Sequence, residues 1–365
     1  MTSSAPPLTP PVPAVNMPAV QEFMGRLMGD MSSAMICLMC LIGDRLGLFK
    51  ALAMQGPSTS AELARGAGVD ERYAREWLSA VASAGYVGYE PVTQRFSLPP
   101  EHALALAWES SPMFMGGAYQ QLAGLTEPLA EVLDAFRSGA GVPEASYGDT
   151  LRDGMERISA GWFDHLLVQS WIPCLPDVER RLLEGASVAD TGCGGGRAII
   201  NLARAFPNSR FVGYDASAPV IKRATASAVA AGLADRVRFE RRDVIDGLPR
   251  QYDLITAFDV LHDVREPQRF LEVVCRSLLP NGSFLIGEIK CSDELQRNAG
   301  PVGTILYGTS VLYCLPTSLA NGAPGFGTLG MPESRLRALL EAAGFHEARR
   351  LPVEHPFNVL YQVRP

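Results

Sequence analysis

Apolar positions along the chain change their period twice. Residues 21–52 are rich in Met, Leu and Ile, and this run predicts a long apolar helix ending near Gly47-Leu48-Phe49. Thr59 and Glu62 then stand at capping-box spacing ahead of Leu63 and Ala64, which marks the start of a second helix. Gly68-Val69-Asp70 breaks that helix, and Asp70 is placed to cap another with Trp77, Leu78 and Val81 on one face. Beyond Gly85, two short alternating runs, Tyr86-Val87-Gly88-Tyr89 and Arg95-Phe96-Ser97-Leu98, flank a Pro-containing turn and predict a hairpin. Helix, turn, helix and hairpin together predict a winged helix-turn-helix over residues 21–100. Residues 101–176 read as helices joined by loops, with Met113, Phe114, Met115, Trp162, Phe163 and His165 as core or pocket-lining side chains.

Past residue 176 short apolar runs alternate with helical stretches, the pattern of a parallel α/β sheet. Strands are predicted at 187–190, 210–214, 237–241, 252–257 and 283–289. A helix starting near Pro332-Glu333 and ending at Gly344 precedes two last strands near 347–353 and 358–363. Residues 1–20 hold six prolines and little to bury, so a disordered arm is expected there. At roughly 150 residues per domain, a chain of 365 residues fits this division into two domains and a connector.

Composition narrows the function. With 32 Lys+Arg against 39 Asp+Glu the net charge is −7, the wrong sign for a protein built to grip phosphate backbones. The predicted second helix of the winged motif carries Arg72 and Arg75, but Glu71 and Glu76 offset them, whereas groove reading calls for clustered basic and amide side chains. A dimerisation and lid module is the preferred reading, with no nucleic-acid partner. Seven scattered cysteines suit a reducing cytoplasm. Cys37 and Cys40 form a C-x-x-C inside an apolar helix with no second Cys/His pair nearby, so packing is expected rather than metal or redox chemistry. No run is expected to reach the ~20 apolar residues of a membrane span. The first basic residue is Arg26, which predicts no secretory signal.

The most informative segment is Asp190-x-Gly192-x-Gly194-x-Gly196, lying between a predicted strand and helix. Glycines there let the backbone turn tightly and approach a ligand that a Cβ would repel. A dinucleotide fingerprint starting at Gly192 requires Gly or Ala at position 197, and Arg197 stands there instead. Asp190 at the strand end suits a ligand with an ammonium group and no pyrophosphate. Asp215 ends the next strand about 20 residues later, the usual place for an acid that accepts from ribose hydroxyls. Asp243 follows the third strand, where a carboxylate can accept from an adenine amine.

These residues, with Phe258-Asp-Val-Leu-His-Asp263, resemble the class I S-adenosylmethionine-dependent methyltransferases from about residue 185 to the end. The winged helix and helical connector extend the resemblance over nearly the whole chain, to the small-molecule O-methyltransferases of plant phenolic and bacterial natural-product pathways. Tyr307-Gly-Thr-Ser-Val-Leu-Tyr-Cys314, with Gly325-Phe-Gly-Thr328, is similar to a bacterial subgroup of poorly defined substrate. The resemblance implies an α/β, Rossmann-like sheet of strand order 3-2-1-4-5-7-6 with strand 7 antiparallel, and an N-terminal α-helical winged-helix domain. It implies a homodimer formed through that domain. It implies S-adenosylmethionine as cofactor, held by Asp190, Gly192, Cys193, Gly194, Gly196 and Asp215, then by Asp243, Val244 and Phe258.

Methyl transfer is an in-line displacement in which the enzyme aligns the groups and accepts a proton. His262 follows the fourth strand at the carboxyl edge of the sheet, and an imidazole near its ordinary pKa of about 6.5 takes a proton at neutral pH. In the resembled enzymes the His of a Leu-His-Asp segment is the base, and Leu261-His262-Asp263 matches it. The family pattern commonly continues with Trp, where this chain has Val264. Glu288, ending the fifth strand, is placed to orient the imidazole. His165, His346 and His355 are read as packing or surface residues. His262-Asp263 lacks a close-spaced second ligand pair, so no metal site is expected. The sequence thus predicts methylation of a small apolar or aromatic acceptor, on oxygen in the first instance. Methylation on nitrogen or carbon, a non-methylating enzyme that uses the cofactor electrostatically, and a cofactor-sensing winged-helix regulator stay open.

Overall fold

The computed structural model describes residues 15–365, so the arm expected over residues 1–14 lies outside the described residues. The chain divides into two compact units, Met1–Trp108 and Glu109–Pro365.

The first unit opens on α1 (Met17–Arg45), so the helix starts three residues before the expected end of the arm. The reason is local. The Asn16 side chain accepts from the Ala19 amide, and Pro18 sits in the first turn, where a missing N–H costs nothing. Helices α2 (Leu48–Gln55), α3 (Ser60–Ala67) and α4 (Glu71–Ser83) follow, then the hairpin β1 (Gly88–Glu90) and β2 (Arg95–Ser97), and α5 (Pro100–Leu106). Both predicted caps form: Thr59 and Glu62 make the reciprocal capping box, and Asp70 accepts from the Arg72 and Tyr73 amides. On α4, Arg72 pairs with Glu76 and Arg75 with Glu71, so its basic groups are matched on their own helix. Trp77 is the hub of this unit. Its indole N–H donates to the Met39 carbonyl at 2.8 Å, its ring meets Phe49 edge-on at 4.9 Å, and Gly43 has no room for a Cβ between the two rings. Cys40 is buried and Cys37 half-buried on α1, as a packing role requires.

The second unit begins with α6 (Gly116–Leu125), α7 (Leu129–Ser138) and α8 (Asp149–Trp162), which runs on through π-helical turns over Phe163–Trp171 to α9 (Pro176–Glu184). A seven-stranded sheet follows. It is built from β3 (Ser187–Thr191), β4 (Arg210–Asp215), β5 (Val237–Arg241), β6 (Tyr252–Phe258), β7 (Leu278–Ile289), β8 (Glu347–Arg350) and β9 (Asn358–Arg364). Its order is β5-β4-β3-β6-β7-β9-β8, with β9 antiparallel to both neighbours. Counted from β3, that is 3-2-1-4-5-7-6. Strand β8 stops at Arg350 because Pro352, inside the predicted run to 353, has no N–H to give a ladder.

Period-two alternation assigns each strand two faces. Val188, Phe211, Leu254, Leu285 and Leu360 face α9, α10 (Arg197–Ala205), part of α11 (Ala218–Ala230) and the π-helical turns. Val212, Tyr214, Ile255, Ala257, Phe284, Ile286 and Tyr361 face α12 (Pro267–Arg276) and α15 (Glu333–Ala342). Helices on both faces leave only the strand ends open to a ligand.

Between β7 and α15 lies α13 (Pro301–Thr309), continued by a π-helical turn (Ser310–Cys314) into α14 (Leu315–Ala320). Pro316 has no N–H for the Leu312 carbonyl four residues back, and the Tyr147 hydroxyl donates to that carbonyl instead. This segment also corrects the sequence reading. Met17–Arg45 and Pro301–Ala320 are both long and apolar enough to cross a membrane, by length and composition only. Asp44-Arg45 ends the apolar run of α1 too late to exclude a span, and Pro301–Ala320 contains no charged residue.

Trp77→Ala should cost about 3–5 kcal/mol, read as a lower urea midpoint for unfolding of the first unit. A loss under 1 kcal/mol would mean that the Trp77 pocket is not the centre of that unit's core.

Candidate active site

The glycine turn follows β3 directly. Gly192, Gly194 and Gly196 all have positive φ, at 71°, 52° and 81°. A Cβ on Gly192 would lie 2.5 Å from Val260, and one on Gly196 would lie 2.4 Å from Phe239, so side chains are excluded by both strain and space. At Gly194 a Cβ would meet nothing within 4 Å, so the turn presents bare backbone to an open space. The Asp215 carboxylate reaches across from the end of β4, accepting from the Gly194 amide at 3.2 Å and the Ser217 amide at 2.9 Å. Each of its oxygens keeps a lone pair for a further donor.

Asp190 is buried at the end of β3 and accepts from the Thr256 hydroxyl at 2.6 Å. Burial pushes its carboxyl up to about 7, assisted by the nearby Asp215 charge and opposed by the Thr256 bond. Burial raises Asp215 as well. Two carboxyls with raised proton affinity beside a bare glycine backbone fit a ligand that brings positive charge and hydroxyl donors. Asp243 follows the end of β5, the strand next to β4. One of its oxygens accepts from the Ile245 amide at 3.3 Å and the other from Arg265 at 3.1 Å. Ala216, Arg241, Arg242, Asp243 and Asp246 line a cleft of about 530 Å³ between the ends of β4 and β5.

Other predicted residues are present without offering a free polar group to that cleft. The Cys193 side chain is buried with Sγ against Gly213, and burial drives its thiol well above the usual range. Val244 is part of the core on the α12 face of the sheet. Phe258 ends β6 inside an aromatic cluster, 5.3 Å from Phe163 and 5.7 Å from Trp171. His165 bonds the Ser110 carbonyl, and His346 is exposed. His355 is buried between Trp162 and Phe357, where burial lowers its pKa to about 4. Arg197, the residue that spoils a dinucleotide fingerprint, pairs with Asp164 of the π-helical turns at 2.9 Å, and Asn201 joins the same carboxylate. Arg223 pairs with Glu156 of α8 at 2.6 Å. The Glu156 carboxylate lies 2.9 Å from the Cβ position of Gly195, so α8 is pinned over the glycine turn.

The second cluster lies after β6. Glu288 on β7 is wholly buried, and its two oxygens accept from the Leu261 amide at 2.7 Å and meet Nδ1 of His262 at 2.8 Å. That bond leaves Nε2 of His262 facing Asp263 at 3.5 Å and the Cys314 sulfur at 4.0 Å. Burial works against the imidazolium, but the Asp263 and Glu288 charges together hold its pKa well above the ordinary value. Asp259 has a positive φ of 56° and accepts from Asn358 at the start of β9. Burial and the Glu288 charge push its carboxyl up to about 7. Sequence reasoning found His262 and Glu288 but not Asp259, Asn358 or Cys314. The last two come from segments 99 and 52 residues away from their partners and carry no local signal.

A signed pH dependence follows. Asp190 and Asp259 bind protons in the folded chain up to about pH 7, but in the unfolded chain only to about pH 4. Stability should therefore fall as pH rises through that window. The charged form of His262, whose folded pKa is raised, stabilises fully below about pH 6.5 and less as pH rises through the folded value. These three act in one direction and outnumber buried His355, whose lowered pKa acts oppositely between about pH 4 and 6.5, so the urea midpoint of the ligand-free chain should be lower at pH 8 than at pH 5, and Asp190→Asn should flatten the change. A midpoint that rises with pH would contradict these assignments.

Comparison with known proteins agrees with the geometry. Residues 182–313 match the family described as a methyltransferase domain, and residues 34–108 match the Rv2258c-like winged HTH domain. The ubiquinone biosynthesis O-methyltransferase of Chelativorans sp. (strain BNC1) is 29% identical over 176 residues, 48% of this chain and 65% of that protein. The mitochondrial counterpart from Schizosaccharomyces pombe is 28% identical over 153 residues, 38% of this chain and 54% of that protein. The chain thus spans less than two thirds of the length of these curated relatives. Among solved structures, mitomycin 7-O-methyltransferase MmcR superposes with a TM-score of 0.69 at 19% identity, covering 96% of this chain and 99% of that one. Human N-acetylserotonin methyltransferase in complex with SAM gives 0.68 at 18% identity, covering 93% and 97%. The fold is that of the α/β methyltransferases, and two of the similar solved structures are complexes with SAM or SAH. The chain thus carries a segment that matches the Rv2258c-like winged HTH domain, followed by one that matches a methyltransferase domain.

Proposed function

We propose that this chain transfers a methyl group from S-adenosylmethionine to an oxygen of a small apolar or aromatic molecule, with His262 as the base and Glu288 as the residue that positions it. The observation that carries this reading is the buried 2.8 Å contact between His262 Nδ1 and Glu288, which directs Nε2 away from the strand. When bound, S-adenosylmethionine supplies an electrophilic methyl on a sulfonium. Asp190 would accept from its ammonium group, Asp215 from its ribose hydroxyls, and the glycine turn would let its chain approach the backbone. Asp243 would close the adenine side, its orientation fixed by Ile245 and Arg265. An O-methyltransferase needs little else from its side chains than alignment and one proton acceptor.

His262 has an unusual proton affinity for that role. Flanking carboxylates make it a stronger base than a free imidazole, and also keep it protonated to higher pH. A phenol gives up its proton readily only to the neutral form. The rate should therefore climb with pH through a value above 6.5.

Exposed apolar side chains along α1, Phe23, Met24, Met28, Met31 and Met35 among them, support dimerisation of the first unit with a second copy. Buried thiols such as Cys193 and Cys314 support a reducing, cytoplasmic setting.

Three measurements test the proposal. Calorimetry at pH 7 should show cofactor binding with proton release as Asp190 ionises, and wild type that binds no cofactor would end the reading. His262→Ala should lower turnover about 10²–10⁴-fold with cofactor affinity unchanged, and Glu288→Gln should move the rising limb of the pH profile to lower pH. Full activity in His262→Ala would remove the base. Sedimentation should find a dimer that Met28→Glu with Met31→Glu dissociates, and a wild-type monomer would refute the second-copy assignment.

A further inference from the structure

His262, Asp263 and Cys314 form a group that proton transfer alone does not account for. One ligand atom from each lies within 4.8 Å of the others: an imidazole nitrogen, a carboxylate oxygen and a sulfur. Ligands bonded to a tetrahedral zinc ion at its usual bond lengths stand roughly 3.3–3.6 Å apart. From Nε2 of His262, the separations of 3.5 Å to the Asp263 oxygen and 4.0 Å to the Cys314 sulfur close to those values with shifts of about half an ångström, and the Asp263 oxygen and Cys314 sulfur lie within 4.8 Å of each other.

Two further observations point to a cation. The second Asp263 oxygen, Oδ1, is buried and has no hydrogen-bond partner among the described residues. A buried carboxylate oxygen without a donor is costly, and a cation is one way to offset it. Glu288 also engages Nδ1 of His262, so that Nε2 is the nitrogen turned toward the group and presents its lone pair there once its proton is released. A carboxylate behind the imidazole is the arrangement that orients histidines on metals. The donor set selects the ion. One thiolate, one imidazole and one carboxylate suit a borderline-soft ion and disfavour magnesium or calcium, which take oxygen ligands.

We propose that the full-length chain binds a thiophilic divalent cation, zinc in the first instance, through His262 Nε2, the Asp263 carboxylate and Cys314 Sγ, and that this binding stops methyl transfer. The ion displaces the thiol proton and the imidazolium proton to solvent and takes the nitrogen lone pair that would receive the acceptor's proton. Binding is independent of the catalytic reading. Only the inhibition rests on His262 being the base.

Cobalt(II) is the probe. Titrating the full chain, kept reduced by a phosphine, should produce a thiolate-to-cobalt charge-transfer band at one equivalent, with visible bands of tetrahedral intensity. The charge-transfer band should vanish in Cys314→Ser and Cys314→Ala, and Glu288→Gln should weaken cobalt binding about 10–100-fold. Circular dichroism of each variant checks that it has folded. Absence of the band in wild type, or its survival in both Cys314 variants, overturns the site. Zinc should displace cobalt and abolish methyl transfer, and the zinc concentration for half inhibition should rise at least about tenfold in Cys314→Ser. Methyl transfer that persists with the site saturated overturns the inhibition while the cobalt spectrum still reports the site. Failure to find any methyl transfer leaves the spectroscopic arm intact, so the two readings fail separately.

Discussion

One buried carboxylate holds the chemical half of the second unit together. Glu288 has no solvent exposure, and an ionised group in that position is tolerable only when its oxygens are engaged. It engages the Leu261 amide and the His262 ring, both in the loop that leaves β6. The neighbouring strand β7 thereby fixes how that loop turns. Orientation of His262 and the direction of its second ring nitrogen follow from this contact, while its affinity for a proton is raised by Asp263 together with Glu288. Asp259 lies in the same loop and is held by Asn358 from β9, so the antiparallel strand β9 takes part in the site as well as in the sheet.

The cofactor half depends on a different economy. Gly192 and Gly196 are required because Val260 and Phe239 fill the space a side chain would need. Gly194 is open on the side where a ligand would lie. Above this turn, Arg197 and Arg223 tie the sheet helices to Asp164 and Glu156, so that the connector covers the glycines through ion pairs. Exposed pairs of this kind contribute little stability singly. Their value here is placement, since each joins an element on the sheet to one on α8 or its π-helical continuation.

Much of this was legible from the chain. Asp190, Gly192, Gly194, Gly196 and Asp215 lie in two short segments whose spacing follows from strand ends, and strand ends follow from alternating apolar runs. The caps at Thr59 and Asp70 were legible for the same local reason. The span estimate differed because a count of consecutive apolar residues breaks at every Gly, Ser, Thr or charge, whereas the mean hydropathy of a helix tolerates a few of them. Cys193, Val244 and Phe258 were placed near the cofactor by their position in a motif. Their side chains turn into packing, which sequence spacing does not report.

The sequence by itself determined the order of elements and the chemistry available at each strand end. Those depend on local propensity and on periods of 2 and 3.6 residues, which short segments carry within themselves. Tertiary structure decided which side chains meet. Cys314 reaches His262 from a π-helical turn 52 residues further along the chain, and Asn358 reaches Asp259 only because β9 pairs with β7. It also set proton affinities, since the raised pKa values of Asp190, Asp259 and His262 come from burial and from neighbours distant in sequence. Burial and through-space charge are properties of the packed chain, and no local pattern of residues encodes them.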